Sequence, residues 1–419
     1  MKMPTIKEID KRMVLEDIYN CSANAQLVLE VARDNMLEPH PRKTAPIFSA
    51  NQLAQLCNTE KTKLNYLLNK ADSSLPQGNV YGNGRSREFT LEETRKCIGM
   101  LNEDICKKPN GAKGIITAVT NLKGGSTKTT SAVHLAQGLS LKNRKILLVD
   151  LDSQASLTTL MDLMPESEVK NEDTILPFFD GDEPDLRYAV KKTYWDGIDI
   201  IPATFAVFNI EVNLPIAASE DKNFEFWSLL EDGLQPLREE YDVIIMDCPP
   251  SLSYLTFNAI YAADGVVMPI PPESLDFASS AMFWRLFSEL FKIADLRMKR
   301  TGNNLNKGFD FIKILLSKVN TQNTATAIVR NWILSAYGKM VMPVEIPLSS
   351  VTTSKSTEFG SIYDVIKFSG SKRTSNEKDD RRTYDRRTYT KIREAYDKFV
   401  DLIDAEIIAA WARQLGDKV

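Results

Sequence analysis

Lys123, Gly124, Gly125, Lys128 and Thr129 fall within seven consecutive residues. Their types suit one task, holding a polyphosphate. Adjacent glycines allow unusual backbone angles and close approach to a ligand. Backbone N–H groups at a helix N-terminus point at phosphate oxygens. Lys128 would bring charge to the β- and γ-phosphates and Thr129 a hydroxyl to Mg2+. The commoner spacing, G-x-x-x-x-G-K-[ST], would place glycine at 122 and 127, where the chain has Leu122 and Thr127. None of these tasks needs glycine there. Asp247 closes the apolar run VIIMD (243–247). A carboxylate at that strand end would hold Mg2+ through water, since hard cations prefer oxygen ligands and retain waters.

Such a loop must sit between a strand and a helix, and the flanking residues supply both. GIITAVTN (114–121) precedes it and KTTSAVHLAQGLSL (128–141) follows. Further apolar, β-rich runs occur at 145–152, 198–203, 241–248, 265–270, 311–320 and 340–346, separated by helical patterns. Near-continuous apolar strands alternating with helices predict an α/β fold, a doubly wound and mostly parallel sheet covered on both faces. The ligand should lie at the carboxyl ends of its strands.

The preceding residues read differently. Positions 1–44 hold a long helical pattern over 5–37, continuous or broken near Cys21–Ser22, whose stripe calls for a dimer partner or for packing on its own domain. Residues 45–106 read as a winged helix-turn-helix. Ser49 would cap a helix over 50–57 and Thr59 a second over 60–70 carrying Lys61, Lys63, Thr62 and Asn65. A hairpin over 79–94 would present Arg85 and Arg87, with Thr90 capping the next helix. This arrangement resembles the MerR type of winged helix, and Lys61, Lys63, Arg85 and Arg87 are its candidate DNA contacts. KKPNGAKG (107–114) reads as a linker, taken as 107–113, leading to an ATPase domain over 114–419.

K-G-G-x-x-K-T-T (123–130) resembles the deviant Walker A motif of the ParA/MinD superfamily, although Thr127 departs from the usual glycine. VDLDSQAS (149–156) is similar to the family's D-x-D-P-Q motif, with Ser153 in place of proline. The resemblance implies an ATPase using ATP and Mg2+, with Lys123 through Thr130, Ser126 and Thr127 included, around the phosphates. It implies that Lys123 reaches across a homodimer to the partner's nucleotide. It also implies that Asp152 positions the attacking water, with Gln154 nearby. The whole layout resembles the large ParA class, which moves DNA cargo with a ParB-type partner, binds nonspecific DNA and represses its own operon. A nucleotide-sensing repressor, or an ATPase positioning another cargo, shares these residues and stays open.

Charge and composition restrict the remainder. The net charge of −4 rules out a polycation, so any nucleic-acid contact needs a local basic patch. Residues 367–393 provide one, with ten Lys/Arg against four Asp/Glu and a tandem RRTYDRRTY. Arg381, Arg382, Arg386 and Arg387 are its candidate DNA contacts, with interleaved tyrosines. Five scattered cysteines and two histidines make a zinc site improbable, and Cys248 reads as a small buried residue. The N-terminal residues lack the apolar core of a signal peptide. The final helix is acidic to neutral on its polar face, unlike the basic membrane-binding helix of MinD-type proteins. A cytoplasmic, nucleoid-associated protein without membrane attachment is expected. Asn320 is a candidate adenine contact.

Overall fold

A computed structural model of the chain describes residues 14–37, 43–70, 72–81, 86–102, 107–165, 167–300, 302, 304–349, 360–364 and 386–416. The chain divides into two compact units, 1–44 and 45–419. The first contains α1 (Leu15–Leu37), unbroken at Cys21–Ser22, with Leu15, Ile18, Tyr19, Leu27 and Val28 exposed. Residues 5–13 of the expected helix lie outside the described residues.

The second unit begins with helices and a small sheet. β1 (Phe48–Ser49) leads into α2 (Ala50–Leu56), where Ser49 and Gln52 form a capping box. α3 (Lys61–Leu68) follows after a short turn. Its N-cap is Glu60, without a side-chain cap bond, so the expected cap at Thr59 is displaced by one residue. β2 (Asn79–Tyr81) and β3 (Ser86–Phe89) form the hairpin, and β1 completes an antiparallel sheet in the order β1-β3-β2. Thr90 and Glu93 form the capping box of α4 (Leu91–Leu101). Leu53, Leu64, Leu68, Phe89 and Cys97 share a small core. Arg95 ties this region to the large sheet's layer. It donates to Asp196 (2.5 Å), the Ser140 carbonyl (3.0 Å) and the Arg144 carbonyl (3.1 Å). The segment expected as a linker is itself docked, because Lys108 Nζ donates to the carbonyls of Arg238, Glu239 and Tyr241 at 2.9–3.1 Å.

The large sheet contains β4 (Ile115–Val119), β5 (Ile146–Asp150), β6 (Lys191–Lys192), β7 (Ile198–Ile201), β8 (Val243–Asp247), β9 (Gly265–Ile270), β10 (Phe311–Val319) and β11 (Val341–Pro347). Their order is β11-β10-β9-β4-β8-β5-β7-β6. Every pairing is parallel except β6 with β7, a short edge that the sequence pattern did not reveal. The seven parallel strands are the seven apolar runs, and β4, β5 and β8 are buried at every position. Chain order reverses around β4, so the crevice beyond its carboxyl end is where such sheets bind ligands.

Helices cover both faces: α5 (Lys128–Ser140), α6 (Phe208–Glu220), α7 (Tyr254–Ala262), α8 (Ser274–Arg300), α9 (Thr324–Tyr337) and α10 (Arg386–Gln414), with shorter turns between them. α10 packs on α5 through Phe399, Val400, Ile403, Ile407 and Trp411. Gly138 permits the close crossing: a Cβ there would lie 2.4 Å from Val400 and 2.9 Å from the Tyr363 hydroxyl. Among the described residues no helix is long and apolar enough to cross a membrane.

Candidate nucleotide site

The phosphate loop leaves β4 and enters α5. Asn121 anchors its start, donating to the Pro269 carbonyl (2.7 Å) and accepting from Lys123 N–H (3.1 Å). Gly124 has no atom within 4 Å of an added Cβ, and Gly125 adopts φ +73°. Both are exposed, which leaves room for a ligand against the loop backbone. Thr127, the departure from glycine, is held at φ 74°, ψ 23° as the N-cap of α5 and makes no side-chain cap bond. A β-branched residue in that region is strained. Thr127→Gly should release about 1–2 kcal/mol of strain and return up to about 1 kcal/mol as unfolded-chain entropy. The melting temperature of this variant should therefore stay level or rise slightly. A fall of several degrees in a thermal melt contradicts this.

Lys128 is buried, and its Nζ donates to the Lys123 carbonyl at 3.3 Å. Burial draws its pKa down, and Asp247, then Cys248 and Asp152, oppose that. Asp247 ends β8 directly beside Asp150 of β5. Burial, then the adjacent Asp150, pushes the Asp247 carboxyl well above the usual range, while Thr129 and Lys128 draw it back. Neither Asp247 oxygen meets a donor in good geometry, and the buried Ser126 hydroxyl is also unpaired. Buried polar atoms are nearly always satisfied, so these oxygens await a ligand. Hard oxygens beside a phosphate seat fit a hydrated Mg2+ ion.

Asp150 differs in its role. It accepts from Thr158 N–H (2.9 Å), Thr158 Oγ1 (2.7 Å) and Asp152 N–H (3.2 Å), fixing the turn after β5. Burial pushes its carboxyl up to about 7. Asp152, half-buried, faces the cleft instead, and Gln154 lies beside it.

The cleft holds about 720 Å³. Gly124, Gly125, Thr127, Lys128, Thr129, Thr130 and Asp152 line it. Val133, Ile346, Pro347, Leu348, Ser361 and Ile362 add a mainly apolar part of the lining. Asn320 does not line it: the Asn320 carboxamide accepts from Gln322 N–H (3.1 Å). Lys123 points away, and its ammonium pairs with the buried Asp276 of α8 and lies 3.8 Å from Glu273. The Asp276 bond, and then its charge, raise the Lys123 pKa against desolvation. Asp276 and Glu273 follow β9, at the carboxyl edge where ligands bind, and that position was their only sequence signal.

His134 links α5 to the C-terminal region. Its Nδ1 lies 2.6 Å from the Thr130 carbonyl, and its Nε2 accepts from Ile362 N–H (3.1 Å). These partners assign the proton to Nδ1. The ring stacks on Tyr396 at 3.9 Å. Burial pushes its pKa down to about 4. Because the folded value lies below the unfolded one, stability should fall as pH drops from 6.5 to about 4, by at most about 3 kcal/mol. Denaturant titrations of wild type and His134→Gln across that window check this, the variant losing the smaller part.

The candidate DNA residues are spread over distant elements. Lys61 and Lys63 are exposed on α3. Arg87 is engaged within its own fold, donating to Gln77 (3.0 Å) and Asn69 (2.8 Å), so it braces the hairpin against α3. Arg387 is exposed near the start of α10, while Arg85, Arg381, Arg382 and the Arg386 side chain lie outside the described residues. Two members of the basic run turn inward. Tyr389, expected among tyrosines facing nucleic acid, is buried and donates to the Ile362 carbonyl (3.2 Å). Arg393 pairs with Asp397 (3.0 Å) and stacks over Tyr363.

Comparison with known proteins agrees with this geometry. A family model described as an AAA domain matches residues 114–299. The chromosome partitioning protein ParA of Myxococcus xanthus is 32% identical over 255 residues, covering 60% of this chain and 82% of the relative. This chain belongs to the ParA family of partition ATPases. Protein SopA of Escherichia coli is 28% identical over 333 residues, covering 78% of this chain and 83% of its own length. A solved structure described as a partition protein matches with TM-score 0.55 at 17% identity, covering 81% of this chain and 95% of the other, which shows the shared fold.

Proposed function

We propose that this chain hydrolyses ATP as a homodimer to partition DNA, with a ParB-type protein stimulating turnover. The observation that carries it is the pair of unpaired Asp247 oxygens near a glycine-rich loop that also bears Lys128 and Thr129, with Asp152 lining the same cleft. The triphosphate lies along loop N–H groups with Lys128 against its β- and γ-oxygens. The apolar lining that includes Ile346 and Pro347 takes the base. Thr129 and, through water, Asp247 would hold Mg2+, which supplies positive charge to the phosphate oxygens. Asp152, in the lining of the cleft, orients the attacking water. Lys123 acts in trans, so its pair with Asp276 must open first. That requirement ties turnover to dimerisation and keeps the lone subunit slow.

DNA binding belongs to the ATP-bound dimer, with Arg386 and Arg387 at the base of the basic run. A second role in operator binding is favoured by exposed Lys61 and Lys63 on α3. The test is binding to a random duplex and to a duplex from upstream of the gene, without nucleotide, with ADP, and with a non-hydrolysable ATP analogue. Random-DNA binding should appear only with the analogue and fail in Arg386→Ala/Arg387→Ala. Upstream-specific binding alone, indifferent to that substitution, leaves a nucleotide-sensing repressor instead.

A further inference from the structure

β10 ends irregularly. Its pairing with β11 slips between Leu316 and Val319, and Lys318, inside that slip, adopts φ +51°. A lysine in left-handed backbone costs energy that glycine would avoid. Strain of this kind concentrates at functional positions.

The kink has a directional result. Ser317, Leu316 and Val319 are buried, whereas Lys318 is exposed and its Nζ donates to the Gly125 carbonyl at 2.7 Å. The neighbouring Ser317 hydroxyl donates to the Ser126 carbonyl at 3.2 Å. β10 therefore grips the rim of the phosphate loop, and Lys318 lines the same cleft as Lys128, Thr129 and Asp152. Bracing Gly125 does not account for a strained lysine, because water satisfies a carbonyl on an exposed rim. A cation placed there does account for it.

We propose that Lys318 is a specificity-determining residue that recognises the terminal phosphate of a bound nucleoside triphosphate from within the same subunit. Its ammonium exchanges the Gly125 carbonyl for γ-phosphate oxygens, a stronger charge-assisted bond. One subunit thereby distinguishes ATP from ADP before any lysine arrives from a partner. This rests on reading the loop as a triphosphate seat.

The test is calorimetric titration of the full chain with Mg2+ and either a non-hydrolysable ATP analogue or ADP. Lys318→Gln should lower the analogue-to-ADP preference about tenfold while ADP affinity changes less than about twofold. Lys318→Arg should keep most of the preference. Lys318→Gly should lose it while melting no lower than wild type, which separates recognition from folding. Equal losses for both nucleotides would reduce Lys318 to a loop brace, and no loss for either would also overturn the proposal. If wild type bound neither nucleotide, the triphosphate seat itself would be wrong.

Discussion

Lys128→Ala will bind a non-hydrolysable ATP analogue about 100-fold more weakly than wild type. The lost contacts are charge-assisted bonds to phosphate, worth about 3 kcal/mol together, and a tenfold change in affinity corresponds to about 1.4 kcal/mol. The surroundings favour this size. Lys128 is buried, close to Asp247, and donates within its own loop at 3.3 Å, so its ammonium is already stripped of most water. A pre-desolvated cation loses little more on meeting a phosphate. Calorimetry with Mg2+ present gives the number, and a loss below tenfold would mean that the loop backbone alone holds the phosphates.

Asp152→Ala should separate binding from chemistry. Asp152 lines the cleft, and its carboxylate accepts from Gln154 N–H at 3.0 Å. The fold does not depend on that carboxylate, since Asp150 fixes the turn beneath it. The variant should bind the ATP analogue within about threefold of wild type and hydrolyse ATP about 100-fold more slowly or worse, as removal of a water-positioning base does. Phosphate release measured beside binding decides this. Turnover near the wild-type rate would exclude Asp152 from the reaction.

The sheet was legible because parallel strands buried on both faces must be apolar nearly throughout. Seven such runs appear in order and became seven strands. The antiparallel edge Lys191–Lys192 was not legible, since two charged residues carry no strand signal. The loop was legible because its glycines, lysine and threonine are adjacent in sequence. Asp276 and Lys318 were not, because each reaches the loop from a separate element, a helix after β9 and the end of β10, at separations of 153 and 193 residues. The basic run shows the reverse error. Charge composition could not reveal that Tyr389 and Arg393 sit on the inward face of α10. Cys248 met its expectation as a buried residue, directly after the end of β8.

In the proposed mechanism dimerisation and turnover meet at Lys123 acting in trans, and mixing two inactive variants tests it most directly. Lys123→Ala keeps its own Asp152, and Asp152→Ala keeps its own Lys123. In a mixed dimer one of the two sites has both residues. Random mixing makes half of the dimers mixed, so ATP hydrolysis should recover to about a quarter of the wild-type rate in an equimolar mixture. No recovery, with both variants still binding ATP, or full activity of Lys123→Ala alone, would contradict the account.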